Sequence, residues 1–397
     1  MNGPLHGIRV LDVSRLLAGP FCSMLLSDLG AEVIKVERPG KGDSARILGP
    51  KIGEERAYFI SVNRGKKSIT LDIATQEGQR IFRRMVPNFD VLIENFVPGT
   101  MARFKLDFPN LEGLNPALVY ASISGFGQDG PSAGLPALDI IVQAMGGIMS
   151  VTGEPGGDPI RPGASLGDSI AGVFTALAIV SALWQRQSSG RGQYIDMSML
   201  DCQVTMMENA FSRYFASGKV PGPLGSRHPE AAPFQVFRAA NGYFVVALIT
   251  DEVDTWRCFC AAIGYSELGE DKRFMNNTDR VKYVDILSKT LQSIFGQQPV
   301  SHWLTVLTAA NIPCGPVNDI KAVIEDPQVQ HRGMMTTIHD RSIGTWRVED
   351  TPFRLSDAVT GPAGPSPRLG EHTRTVLHEL LDLPDDEIDS LEALGVI

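Results

Sequence analysis

Asp168 lies in the run Arg161-Pro-Gly-Ala-Ser-Leu-Gly-Asp-Ser-Ile-Ala-Gly and has the most evident potential for chemistry in this chain. It follows a glycine and precedes an apolar stretch, Ile170 to Trp184, whose composition predicts a buried helix. A carboxylate there meets the first unpaired backbone N–H groups and the positive helix end, which favour its ionised form. Held in that way it could act as a nucleophile and form a covalent acyl intermediate. Aspartate is equally an ordinary N-cap residue. Position alone leaves both readings open.

Further candidates fall at the ends of predicted strands. These are Leu17-Ala18-Gly19-Pro20, Glu37-Arg38-Pro39, Leu71-Asp72-Ile73, Asn95-Phe96-Val97-Pro98-Gly99 with Arg103, and Ser124-Gly125-Phe126-Gly127. Open α/β sheets bind ligands beyond the carboxyl ends of their strands. Strand ends rich in Gly, Arg and Asn suit a phosphorylated, nucleotide-like ligand. No GxGxxG follows the first strand and no GxxxxGK[ST] occurs, so a standard dinucleotide or P-loop site is unsupported. The histidines show no clustered ligand spacing, and no metal is expected. Cys258 and Cys260 flank Phe259 on a predicted helix and read as packing residues.

The elements that must position these residues alternate. Ile8–Val13, Ala31–Glu37, Ser68–Ile73, Val91–Phe96, Val119–Ser124 and Tyr194–Met199 read as buried strands. Phe21–Leu29, Gln76–Val86, Leu138–Gly146 and Ser169–Arg186 read as helices between them. That pattern predicts a parallel sheet wrapped by helices. From Gly218 to Pro233 periodicity is lost; a strand, Tyr243–Ala247, and a helical block from Asp251 to about Ala310 follow. The stretch Pro313–Pro367 reads as loop-rich and Thr373–Leu380 as a closing helix. The expected organisation is a large Rossmann-like α/β domain over 1–220 and a smaller α+β domain over 221–325. Residues 326–397 form a linker and a segment returning to the large domain.

The chain has 397 residues, 43% hydrophobic content and a net charge of −9. Its acidity argues against nucleic acid as a partner. The stretch Ile170–Trp184 is too short to span a bilayer, and the N-terminus carries no signal-peptide pattern, so no membrane is expected. The five cysteines are scattered and lack a paired CxxC arrangement, which fits reduced thiols and a cytoplasmic location.

Taken in order, several motifs resemble those of the class III CoA-transferases, the formyl-CoA transferase and CaiB/BaiF group. They are Leu-Asp-Val with Ala-Gly-Pro (11–20), Gly-Ala-Glu-Val-Ile-Lys-Val-Glu (30–37), Asn-Arg-Gly-Lys-Lys-Ser (63–68) and Glu-Asn-Phe (94–96). Gly-Phe-Gly-Gln-Asp-Gly-Pro (125–131), Gly-Asp (167–168), Arg-His-Pro (227–229), Ile-Pro-Cys-Gly-Pro-Val (312–317), Asp-Pro-Gln-Val (326–329) and Leu-Gly-Glu-His-Thr (369–373) continue the likeness along the whole chain. The resemblance implies that Asp168 is the nucleophile, attacking an acyl-CoA thioester and passing through an anhydride and an aspartyl-CoA thioester. It implies coenzyme A binding near Ala18, Arg38, Leu71, Asp72, Ile73, Asn95, Phe96, Val97 and Arg103, with Asp139 at an acidic family position. It also implies an interlocked homodimer acting on an acyl-CoA and a carboxylic acid.

Two departures bear on substrate. Formyl-CoA transferase has a Gln where this chain has Leu17, a side chain without a hydrogen-bond donor. It also carries a Gly-rich loop with no equivalent run here; Arg227 and His228 occupy the similar interval and are candidates to meet a longer acid's distal carboxylate. The expected acceptor is therefore a dicarboxylic or hydroxylated acid such as succinate or glutarate. The rivals are an α-methylacyl-CoA racemase-like enzyme and a non-catalytic CoA-binding protein. The first would need a His directly before Asp139, where this chain has Leu138; the second would not need Asp168.

Overall fold

Six short strands with β-branched and aliphatic residues form the central sheet of a computed structural model that describes residues 2–341 and 343–397. They are β1 (Arg9–Asp12), β2 (Glu32–Glu37), β3 (Lys67–Thr70), β4 (Val91–Glu94), β5 (Val119–Ser124) and β6 (Tyr194–Ser198). All neighbouring pairs are parallel, in the order β3-β2-β1-β4-β5-β6. The fold is thus mixed α/β on a large parallel sheet. The strand order reverses between β1 and β4, which opens a crevice at their carboxyl ends.

The inner strands β4 and β5 are buried throughout, and β1 and β2 are buried but for their first residues, as expected of a parallel sheet covered on both faces. Leu11, Ile34, Ile69, Leu92 and Tyr120 face one core with Ile81 and Phe82 of α3 (Gln76–Met85). Val376, Leu377, Ile388 and Leu391 from two C-terminal helices, Thr373–Leu381 and Asp385–Ala393, complete that core. Val10, Val33, Val91, Ile93 and Ala121 face the other core. There α1 (Ala18–Asp28) and a long helix, Leu166–Ser189, cover the sheet.

Several findings differ from the sequence reading. The long helix has 24 residues and starts at Leu166, so Asp168 is its third residue rather than its cap. Its length and apolarity meet those of a membrane span, yet it packs on the sheet against α1. The loop-rich stretch contains an antiparallel pair, Met335–Asp340 with Gly344–Glu349, and the helix Asp385–Ala393 follows the one expected at the C-terminus. The antiparallel strands are mostly polar or half-exposed, so they lack the apolar run that marks the buried parallel strands.

The chain divides into two compact units: one of residues 1–148, 161–212 and 328–397, the other of 149–160 and 213–327. The second contains a three-stranded antiparallel sheet, Cys314–Pro316, Gly242–Ala247 and Phe234–Ala239 in spatial order. Phe237, Phe244, Trp256, Phe259, Phe295 and Trp303 form its core with edge-to-face ring contacts. Buried Arg280 is satisfied there by the carbonyls of Ala232, Phe274 and Thr250 and lies over the Trp256 ring.

The contact between α1 and the long helix depends on Gly172. A Cβ there would stand 2.9 Å from the Ala18 carbonyl oxygen and 3.0 Å from Phe21 Cδ1. Backbone cannot yield as a side chain can, so Gly172→Val should destabilise by about 1–3 kcal/mol, the usual cost of overpacking. Urea unfolding should show a lower midpoint at unchanged slope; an unchanged midpoint would show that the helices separate freely.

Candidate active site

The crevice begins with a strained turn. Leaving β1, the chain passes through Leu16 at φ 64°, a left-handed conformation that costs a leucine roughly 1–2 kcal/mol. Side chains from elsewhere hold it. The Leu16 N–H donates to Asp43 Oδ1 at 3.0 Å and the Arg15 N–H to Asn95 Oδ1 at 2.8 Å. Asn95 Nδ2 donates back to the Arg15 carbonyl at 2.8 Å. Both ends of the Asn95 amide are therefore engaged in joining the β1 and β4 loops. Leu17 is the residue before α1, and the amides of Ala18 and Gly19, in its first turn, have no intrahelical acceptor.

Beneath this turn lies a chain of buried charges. Asp12 accepts from Ser14 and Ser23 and pairs with Lys66 Nζ at 3.1 Å. Lys66 also donates to the Pro20 carbonyl and Asn63. Lys35 Nζ reaches Asp43 Oδ2 at 2.9 Å and the Ser14 carbonyl at 2.8 Å. Glu37 takes two hydrogen bonds from Arg46, whose guanidinium stacks 3.6 Å over the Phe59 ring. Burial alone would raise the Asp12 carboxyl, but Lys35 and Lys66 hold it far below the carboxylate range. Burial draws Lys66 down to about 8 against the pull of Asp12.

Two helices bring the acidic pair together: Asp139 opens the helix Asp139–Met145 and Asp168 lies in the first turn of the long helix, with α2 (Ala57–Asn63) preceding both in the chain. Gln143 Nε2 donates to both Asp139 oxygens at 2.9 and 2.8 Å. Arg161 Nε and Nη2 reach Asp139 Oδ2 at 3.1 and 2.7 Å. Asp139 Oδ1 accepts the Gly167 N–H at 2.9 Å. A Cβ at Gly167 would stand 2.6 Å from Val142 Cγ2 and 3.0 Å from that same oxygen, so glycine permits the approach. Asp139 thus caps the long helix from outside, while Ser165 at the N-cap position makes no side-chain cap bond.

Asp168 is left half-buried, with no hydrogen bond to its carboxylate among the described residues. Burial, then the Asp139 charge, push its pKa up to about 7, with Arg161 opposing. The helix end favours an ionised carboxylate; burial and the Asp139 charge act against it and bring the titration of Asp168 into the neutral range. Tyr58 of α2 shares the cleft, and its phenol is pushed up to about 12 by burial and by Asp168, Asp43 and Asp139. It remains a neutral hydrogen-bond donor.

The cleft measures about 670 Å³ and is lined by Leu16, Ala18, Tyr58, Asn95, Phe96, Val97, Ser124, Leu138, Asp139, Arg161 and Asp168, among others. A neighbouring hollow of about 240 Å³ is lined by Arg15, Arg38, Leu71, Asp72, Ile73, Phe96 and Arg103. Phe96 borders both. The two hollows therefore divide the sequence-derived set, all but Leu17 among its large-unit members lining one or the other. Arg38 and Arg103 are exposed and have no carboxylate partner among the described residues. Asp72 accepts from the Ala74 N–H at 3.0 Å. Arg227 and His228 belong to the second unit, where Arg227 pairs with Asp285 at 2.7 Å and His228 stacks on Phe234.

Sequence reasoning missed Arg15, Tyr58 and the role of Arg161. Tyr58 lies in an apolar helix without local signal, whereas Arg15 follows a strand end and was open to detection. No three His, Cys, Asp or Glu side chains gather in a metal-binding arrangement among the described residues.

Because the Asp168 pKa is raised from 3.8 to about 7, the folded state holds its proton more tightly than the unfolded state. That contribution to stability is complete below pH 3.8 and is lost as pH rises to about 7. Asp168→Asn cannot titrate, so its melting temperature should overtake that of the wild type across this window and keep the gain above it. A gap that does not change with pH would show that Asp168 ionises freely.

The comparisons with known proteins agree with one another. The model of CoA-transferase family III matches residues 5–373. Acetyl-CoA:oxalate CoA-transferase of Acetobacter aceti is 44% identical over 335 residues, which are 84% of this chain and 86% of that protein. Succinate–glutarate CoA-transferase of Agrobacterium fabrum is 38% identical over 384 residues, 95% of this chain and 96% of that protein. Among solved structures, a CaiB/BaiF family protein from Brucella suis superposes with a TM-score of 0.86 at 39% identity, covering 96% of this chain and all of the other.

Proposed function

The chain belongs to CoA-transferase family III, and from that premise we propose that it moves CoA from an acyl-CoA to a dicarboxylic acid with Asp168 as nucleophile. The observation that carries this reading is the meeting of two hollows at Phe96. One is lined by three guanidiniums suited to phosphates, the other holds a carboxylate that no side chain engages. Arg15, Arg38 and Arg103 would hold the phosphorylated end of CoA, with Leu71 and Ile73 as apolar walls. The pantetheine arm would pass Phe96 and Val97 to bring the thioester against Asp168.

The reaction then needs no net proton transfer. The Asp168 carboxylate attacks the thioester carbonyl, expelling CoA thiolate and leaving a mixed anhydride. The thiolate attacks the Asp168 acyl carbon of that anhydride, which releases the donor acid and forms an aspartyl-CoA thioester. An acceptor carboxylate attacks this thioester, expelling thiolate again, and the thiolate takes the new acyl group and frees Asp168. Among the described residues the cleft lining contains no His, Lys or Cys, which suits a sequence without a general base. Developing negative charge on the carbonyl oxygen would meet the amides of Ala18 and Gly19 and the Tyr58 hydroxyl. These donors would stand in for the Gln absent at Leu17. A racemase would need a second acid/base group beside Asp139, and Leu138 cannot serve.

We further propose an interlocked homodimer in a reducing, cytoplasmic setting. Val173, Leu177, Val180 and Trp184 are exposed along one side of the long helix, Trp184 by 73%. A stripe of that kind suits a second copy of the chain. The five cysteines are all free.

Asp168→Asn removes the nucleophile while Asp139 still caps the helix, so transfer should fall by orders of magnitude with CoA still bound. Wild-type protein quenched with acyl-CoA and treated with hydroxylamine should carry its label at Asp168. In the wild type kcat/KM should rise through about pH 7 as Asp168 ionises. Near-normal transfer by Asp168→Asn, or a label on another carboxylate, would overturn the assignment. Sedimentation should give a dimer at micromolar concentration, and a monomer would refute that part.

A further inference from the structure

We infer that Arg161 selects the acceptor by binding its second carboxylate, an inference that rests on the CoA-transfer reading above. Arg161 is the one basic side chain lining the cleft that holds Asp168 among the described residues. Its side chain is 33% exposed. Asp139 takes up Nε and Nη2, and Ser165 Oγ lies 3.2 Å from Nη2. Nη1 has only the Gly163 carbonyl at 3.5 Å, the weak limit of a hydrogen bond. Asp139 therefore fixes the guanidinium by one edge, with Nη1 left to a ligand.

The electrostatics of the cleft demand such a group. An acceptor presents one carboxylate to the acyl group on Asp168. A second carboxylate would enter a cleft that already contains Asp139 and Asp168 and, uncompensated, would be costly to desolvate. The hydroxyl of Ser124, buried and without a partner, lines the same cleft and supplies a further donor. A monocarboxylic acid has no second charge to place and leaves Nη1 unused. A site built to bond a polar group discriminates strongly against the analogue that lacks it. By contrast, Arg227 is engaged by Asp285 within the second unit.

The test uses the full-length protein with acetyl-CoA as donor and two acceptors of similar size, succinate and butyrate, following the new thioesters by mass. Wild type should prefer succinate. Arg161→Gln should lower the succinate-to-butyrate ratio of kcat/KM by about tenfold to a hundredfold, mainly through KM for succinate. Arg161→Lys keeps the charge without the fork and should lower it less. Melting curves and CoA binding show which variants are folded, and Arg161→Lys carries the test if Arg161→Gln is not. A ratio unchanged in a folded variant, with both acids losing equally, would reduce Arg161 to a support for Asp139 and overturn this inference alone. Wild type that transfers CoA to no acid would overturn the reading beneath it as well.

Discussion

A chain of alternating buried charges holds the carboxyl end of the sheet. Asp12, Lys66, Lys35, Asp43, Glu37 and Arg46 come from β1, from β2 and from the segments between β2 and β3, and their pairing ties those segments to the strands. Buried ion pairs add little net stability, because desolvation offsets their attraction. What they contribute is geometry: each group must find its partner or leave a charge uncompensated. Asp43 shows this most directly, since the carboxylate that neutralises Lys35 also holds the backbone of Leu16 in its strained conformation. That turn delivers the start of α1 to the cleft.

The acidic pair at the other wall works by the opposite principle. Asp139 is fully engaged, by a guanidinium, an amide and a backbone N–H, whereas Asp168 has none of these. The fold places a carboxylate one residue beyond the capped position and withholds its partners. Ionised Asp168 is then a poorly solvated anion beside another, which costs stability and suits the nucleophilic role proposed for it. This is the pattern expected where stability is given up for reactivity.

Division of labour follows from the sheet's topology. The reversal of strand order between β1 and β4 leaves a crevice that neither crossover helix fills, and both hollows open along it. Phe96 stands between them because the β4 loop is tied to the β1 loop through Asn95. The arginines proposed to meet phosphates therefore lie on loops tied to the loop that borders the Asp168 cleft.

The sequence by itself determined the alternation of strands and helices, the glycine before Asp168 and the strand-end residues that line much of the crevice. These are legible because the buried strands are rich in β-branched and aliphatic residues, and because strand ends in a parallel sheet share one edge. Hidden from it were the antiparallel pair after Met335, whose half-exposed strands carry no apolar run, and the true start of the long helix. Only tertiary structure decided which aspartate caps that helix, since Gly167 and Asp139 are 28 residues apart and nothing local links them. The Arg15–Asn95 clamp spans 80 residues and is equally silent in the chain. The proton affinity of Asp168 was set there too: burial, then the Asp139 charge, raises its pKa, and burial is a property of the fold.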